Sequence, residues 1–112
     1  MSKLKIQRKR NDAMRFLDCM KSPKINCIKY HKQNTDAHED MKWKICKQLA
    51  KENKHFVTEA ILKNGKRADI VVLDTWEIIE ILCSETEKQF QKKIKDYPEE
   101  FLINKIYVGV KK

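Results

Sequence analysis

Between His55 and Cys83 the chain carries three short apolar runs in close succession, and few arrangements other than a sheet can use them. The first, HFVTEAIL at 55–62, is followed by Lys63-Asn64-Gly65-Lys66. Asn-Gly between β-branched runs signals a hairpin, because both residues tolerate positive φ. RADIVVL at 67–73 returns, Asp74-Thr75-Trp76 turns the chain again, and EIIEILC at 77–83 supplies a third strand. An antiparallel meander is expected. Ile70-Val71-Val72-Leu73 and Ile78-Ile79 are too uniformly apolar for a sheet with one wet face, so both faces must be covered.

Helices to cover it lie on either side. Met41, Ile45 and Leu49 recur at four-residue spacing with Cys46 alongside, the mark of an amphipathic helix of about 16 residues with Thr35 or Asp36 as N-cap. His38 and Lys42 project onto the same stripe and Glu39 onto its edge. Ser84 with Glu87 forms a capping box that opens a second helix to about Lys95, before Tyr97-Pro98 ends it. KIYVGV at 105–110 reads as a last strand. Upstream, a short helix is expected from Asn11 to Met20, with Ala13, Phe16, Leu17 and Met20 on one side and Ser22-Pro23 breaking it. Ile25, Cys27, Ile28 and Tyr30 form a short strand or a packed loop. The expected fold is α/β: an αβββαβ core at 35–112 with a central mixed sheet flanked by helices, and a basic N-terminal extension at 1–34. A chain of 112 residues suffices for one domain and not for two.

The charge is uneven. Of the formal net charge of +9, a surplus of eight falls in residues 1–33, which hold ten Lys or Arg against two Asp. A basic arm beside a near-neutral body suits a grip on a polyanion, because each cation that meets a phosphate releases condensed counterions. Lys3, Lys5, Arg8, Lys9 and Arg10 are the candidate contacts, with Arg67 from the second strand; the alternative is a solubilising tail. No stretch approaches the roughly 18 apolar residues that span a bilayer, and no apolar signal core follows Lys3. An intracellular, cytoplasmic protein without a membrane partner is expected. Cys19, Cys27, Cys46 and Cys83 show no paired C-x-x-C spacing, so neither a disulfide framework nor a zinc knuckle is signalled.

Two acids interrupt the apolar strands, Asp69 in Ala68-Asp69-Ile70 and Glu80 in Ile79-Glu80-Ile81. A carboxylate among side chains that bury is unfavourable unless it is paired or bound to a metal. One reading is structural, with Arg67 neutralising one acid and an edge strand wetting the other. The other is a metal site: inward carboxylates on neighbouring strands repel unless a divalent cation sits between them. Hard oxygen ligands suit Mg²⁺ or Mn²⁺, ions that serve phosphodiester hydrolysis.

The stretch from Asn64 to Leu73, followed by Glu77-Ile78-Ile79-Glu80-Ile81, resembles the hallmark of the PD-(D/E)XK nuclease superfamily, in which an Asp opens the second strand and a Glu follows on the third. The αβββαβ order is also that of the superfamily's restriction-endonuclease-like core. The resemblance runs from about Thr35 to Val110, roughly two-thirds of the chain. It implies a Mg²⁺- or Mn²⁺-dependent endonuclease acting on DNA rather than RNA, with Asp69 and Glu80 as catalytic metal ligands and Glu39 or Glu59 assisting. A homodimer is implied by analogy. The superfamily's third strand normally reads Glu-x-Lys, whereas this one reads Glu80-Ile81-Leu82. Members move the lysine in sequence while keeping its place in space, which makes Lys42 the expected catalytic lysine, Lys88 the alternative and His38 an accessory.

Two other readings stay open. Leu82 favours a nuclease-like fold that has lost catalysis and persists as a nucleic-acid-binding module. Cys19, Cys27 and His31, with His38 approaching in space, would instead make a small zinc-containing DNA-binding regulator.

Overall fold

The computed structural model describes residues 2–18, 20–21 and 24–108. Its elements are α1 (Lys3–Met14), α2 (Asp36–Lys51), β1 (Phe56–Ile61), β2 (Arg67–Val72), β3 (Glu77–Leu82), α3 (Glu87–Ile94) and β4 (Leu102–Tyr107). The strands form one mixed sheet in the order β1-β2-β3-β4. β1, β2 and β3 make the expected antiparallel meander, and β4 runs parallel to β3. A parallel return needs a crossover, which α3 supplies. The class is α/β, with helices on both faces.

Each face of the sheet has its own core. On one, Cys46 and Leu49 of α2 cover Phe56, Ile70, Val72, Ile79 and Ile81. On the other, Ala13 and Leu17, with Tyr97 and Phe101, cover Val57, Ala68, Val71 and Ile78. Two-sided burial explains the uniformly apolar strands, since each buried Val, Leu or Ile contributes about 1.5–3 kcal/mol. The N-terminal extension is therefore partly core: Ala13 and Leu17 are fully buried, and Leu17 bridges to Leu62 at the hairpin.

Several boundaries differ from expectation. α1 begins at Lys3 rather than Asn11, because Ser2 caps it by accepting from the Lys5 N–H and the intervening Lys, Gln and Arg are good helix formers. Met20, expected on its apolar side, is 94% exposed. Ser22-Pro23 lie outside the described residues, and Ile25, Cys27, Ile28 and Tyr30 form a loop rather than a strand. α2 has the expected 16 residues, capped by Thr35. α3 is capped by Thr86, not Ser84: Thr86 and Gln89 form the reciprocal capping box, while Glu85 accepts from the Ser84 N–H. β4 starts at Leu102 rather than Lys105, and the expected end of that strand, Gly109-Val110, lies outside the described residues. In the hairpin only Gly65 takes positive φ, at 88°. Among the described residues no helix is long and apolar enough to cross a membrane.

Candidate active site

The regular alternation of β1 and β2 slips at one level, and the slip turns two acids the same way. Val57 and Ala60, three residues apart, share a face, as do Ala68 and Val71, although a regular strand would place each pair on opposite faces. The register Thr58↔Ile70 and Ala60↔Ala68 sets the slip at Glu59 and Asp69. Glu59 takes a left-handed φ of 48°, a conformation that costs a non-glycine residue about 1–3 kcal/mol. Both side chains consequently face α2, where Glu59 meets Lys42 and Asp69 meets His38.

One strand over, the sheet opens. The β2–β3 ladder runs Val72↔Glu77, Val71↔Ile78 and Ile70↔Ile79, and the next pair would be Asp69 with Glu80. Carboxylates replace the missing rungs. Glu80 Oε2 accepts from the Asp69 N–H at 2.9 Å, and Asp69 Oδ2 accepts from the Ile81 N–H at 2.8 Å. Two acids are thus held side by side in the parting of two strands, Glu80 fully buried and Asp69 8% exposed.

Their electrostatics diverge. Burial and the negative charge of Asp69, only partly offset by Lys93, push the Glu80 carboxyl up to about 7. Burial would raise Asp69 as well, but the His38 hydrogen bond, the Ile81 N–H and the positive charge of Lys93 hold it below the usual range. Neighbouring acids driven apart in this way form a site with excess negative charge, a familiar property of catalytic and metal centres.

The cation that answers Glu80 comes from α3. Lys93 Nζ lies 2.5 Å from Glu80 Oε1, an ion pair on a fully buried carboxylate. Burial pulls the Lys93 ammonium down, but the charge and hydrogen bond of Glu80 outweigh it, so Lys93 holds its proton beyond the ordinary lysine range. Leu82, two residues after Glu80, is fully buried. Above the pair lies a cleft of about 380 Å³ lined by Asn34, His38, Lys66, Arg67, Asp69, Ile81, Glu85, Lys93 and Tyr97. The Tyr97 hydroxyl donates to the Arg67 carbonyl at 2.9 Å, tying the turn after α3 to the start of β2.

Lys93 was missed in the sequence, and the residues favoured there stand elsewhere. Lys88 is exposed on α3. Lys42 is 1% exposed and fully engaged: its Nζ lies 2.9 Å from Glu39 Oε2, 3.0 Å from Glu59 Oε2 and 2.5 Å from the Lys29 carbonyl. Glu39 and Glu59 gather around Lys42, Glu59 being the cross-strand neighbour of Asp69; Glu59 also pairs with Arg67 at 3.3 Å, and Glu39 accepts from Asn34 and the His31 N–H. His38 joins the two groups. Its Nε2 is 3.2 Å from Asp69 Oδ2, and its buried Nδ1 is 3.6 Å from Glu39 Oε2. Burial opposes protonation of His38, but Asp69 and the charge of Glu59 prevail and raise it. A partial signal for Lys93 lies in the sequence: it stands three residues after Phe90, on the same face of the second expected helix.

The remaining candidates divide. Arg67 reaches the cleft, held by Glu59 and by His31 Nε2 at 2.9 Å from its Nη1. Arg10 does not serve as a free phosphate contact: its guanidinium is anchored to Asp74 by bonds of 2.8 and 2.9 Å. Lys3, Lys5, Arg8 and Lys9 are exposed on α1. Of the zinc alternative, Cys19 lies outside the described residues, Cys27 is exposed, His31 is engaged by Arg67 and His38 by Asp69. Among the described residues no group of three or more His, Cys, Asp or Glu is arranged to hold a metal. Two carboxylates nevertheless fit Mg²⁺, which keeps several waters and commonly binds through one or two carboxylates and substrate phosphate. Glu80 Oε1 carries the Lys93 ammonium at 2.5 Å, so a divalent cation held by the two carboxylates would share that oxygen with the lysine. Compared with family models, with curated proteins and with solved structures, the chain finds no match.

Proposed function

We propose that this chain is a divalent-metal-dependent nuclease that hydrolyses phosphodiester bonds of DNA, with Asp69 and Glu80 as metal ligands and Lys93 as the catalytic cation. The observation that carries the reading is the convergence of these three side chains where β2 parts from β3, with Asp69 and Lys93 lining a cleft that Lys66 and Arg67 also line and Glu80 buried behind them. A bound Mg²⁺ or Mn²⁺ would supply charge neutralisation and Lewis acidity at the phosphate. Lys93 sets its ammonium against the charge that develops on the phosphoryl oxygens, and because it keeps its proton it acts as an electrostatic donor rather than a base. Arg67 and Lys66 receive the flanking phosphates. His38 fixes the rotamer of Asp69 from α2, and Lys42 holds the strained Glu59 turn that aims Arg67 and Asp69.

The test is cleavage of labelled DNA and RNA with Mg²⁺, Mn²⁺ or chelator. Lys93→Ala should lower the cleavage rate by about 10²–10³ while DNA binding and the thermal midpoint change little. Lys88→Ala should do nothing. Leu82 supports a second reading, a binding module on a nuclease-like scaffold. Metal-independent binding of DNA, with no cleavage of either nucleic acid under any metal, would establish that reading instead.

A further inference from the structure

We propose that α1 is a distal grip for duplex nucleic acid, set about 25 Å from the Asp69–Glu80 cleft, so that the chain favours substrates extending several base pairs to one side of the cut. The cleft end of this ruler rests on the nuclease reading above; the grip itself does not.

α1 has two different halves. The C-terminal half is docked: Arg10 pairs with Asp74 and donates to the Asn53 carbonyl at 3.0 Å, Trp76 Nε1 donates to the Lys9 carbonyl at 3.0 Å, and Ala13 is buried. The N-terminal half is solvated. Lys3, Lys5, Arg8 and Lys9 are exposed, and among the described residues none of the four side chains has an acidic partner. No acid stands in the first turn. Lys5 faces Arg8 and Lys9 at spacings of three and four, a like-charge arrangement that destabilises an isolated helix by a few tenths of a kcal/mol per pair. Lys3 and Lys5 also sit in the first turn, at the positive end of the helix dipole. A polyanion reverses the sign of every one of these interactions.

The position follows from the anchors. Asp74 lies in the β2–β3 turn, whereas Asp69 and Glu80 lie toward the opposite ends of those strands. About 16 Å of strand separates Asp74 from Asp69. Beyond Arg10, α1 extends about 10 Å further to Lys3. It leads away from the cleft, because its other end runs toward Leu17 beside the β1–β2 hairpin. The molecule's long dimension, 48 Å against 29 and 25 Å, accords with a helix that overhangs the body. At a rise of about 3.4 Å per base pair, the span equals about seven base pairs of duplex. A membrane is disfavoured as the polyanion: at 100° per residue the four cations spread over most of the helix circumference, and Leu4 and the half-buried Ile6 stand on nearly opposite sides, so no apolar face exists to enter a lipid interface.

Binding, measured by fluorescence anisotropy in chelator with duplexes of about 6 and about 16 base pairs, separates the grip from the chemistry. Wild type should hold the longer duplex at least about tenfold more tightly, and Lys3, Lys5, Arg8 and Lys9 changed together to Gln should abolish that preference and reduce the salt slope by about 3. An unchanged thermal midpoint of the quadruple variant shows that the docked half still folds. Equal salt slopes for the two proteins, or no length preference in wild type, overturns the proposal. Capture by phosphatidylserine vesicles without duplex binding overturns it in favour of a membrane. Length-dependent binding without cleavage under Mg²⁺ or Mn²⁺ leaves the grip standing and removes the nuclease.

Discussion

Glu80 carries the clearest pH signature of any side chain in the protein. Its carboxyl titrates near 7 in the fold, against an ordinary value of 4.5, because burial and Asp69 oppose its charge. A raised carboxyl is most compatible with folding while it is protonated. Stability should therefore fall as pH rises from about 4.5 to about 7, and stay lowered above that. Glu80→Gln removes the penalty. Its melting midpoint without metal should exceed wild type by several degrees near pH 8 and match it near pH 4. The Lys93 side chain, 40% exposed, can be solvated once its partner is neutral. A midpoint difference that does not change with pH would remove the electrostatic account of the site. At this scale the sequence was partly readable: an acid inside an apolar strand announces itself, so Asp69 and Glu80 could be found. Lys93 could not be chosen over Lys42, because which helix face looks into a parting between strands depends on where the strands part. The ladder, not the residue pattern, decides that.

At the scale of elements, the slip in β1 and β2 is held by charge. Lys42 bridges Glu39 and Glu59 in a nearly dry interior, and the strained Glu59 backbone has no glycine to relieve it. Removing one member of a buried ion network strands the others, at a cost of about 3–5 kcal/mol. Lys42→Ala should thus lower the urea midpoint severely and reduce activity through the folded fraction, whereas Lys93→Ala should reduce activity in a protein of nearly normal stability. The reverse pattern would exchange the roles of the two lysines. The strands themselves were legible because two-sided burial leaves long apolar runs and Gly65 marks the hairpin. The slip was not, since HFVTEAIL shows no irregularity until Glu59 is known to oppose Asp69. Helix starts were misplaced for a local reason: Ser84 and Thr86 each stand three residues before a Glu or Gln, and only the geometry of the turn selects Thr86.

At the scale of the whole molecule, α1 is both extension and wall. Charge alone suggests an arm at 1–34, yet Ala13 and Leu17 close the core face that Tyr97 and Phe101 share. Deleting residues 1–7, which spares the Lys9 carbonyl and Arg10 contacts, should lower the urea midpoint only slightly. Deleting residues 1–18 should lower it by the equivalent of at least a buried Leu→Ala substitution, about 2–5 kcal/mol. Similar midpoints for the two truncations would mean that α1 contributes nothing to the core. The docking of this wall can be read optically. Trp76 stacks on Phe101 at 5.3 Å, meets Phe16 edge-on at 5.4 Å and gives its indole N–H to the Lys9 carbonyl, whereas Trp43 is 54% exposed on α2. One indole is half-buried in the joint between α1 and the sheet, and the other already faces water. With Trp43→Phe as background, the emission of Trp76 becomes a gauge of that joint, blue while α1 is seated and shifting red as it lifts. Partial release of the wall is then visible in a steady-state spectrum before the sheet itself unfolds.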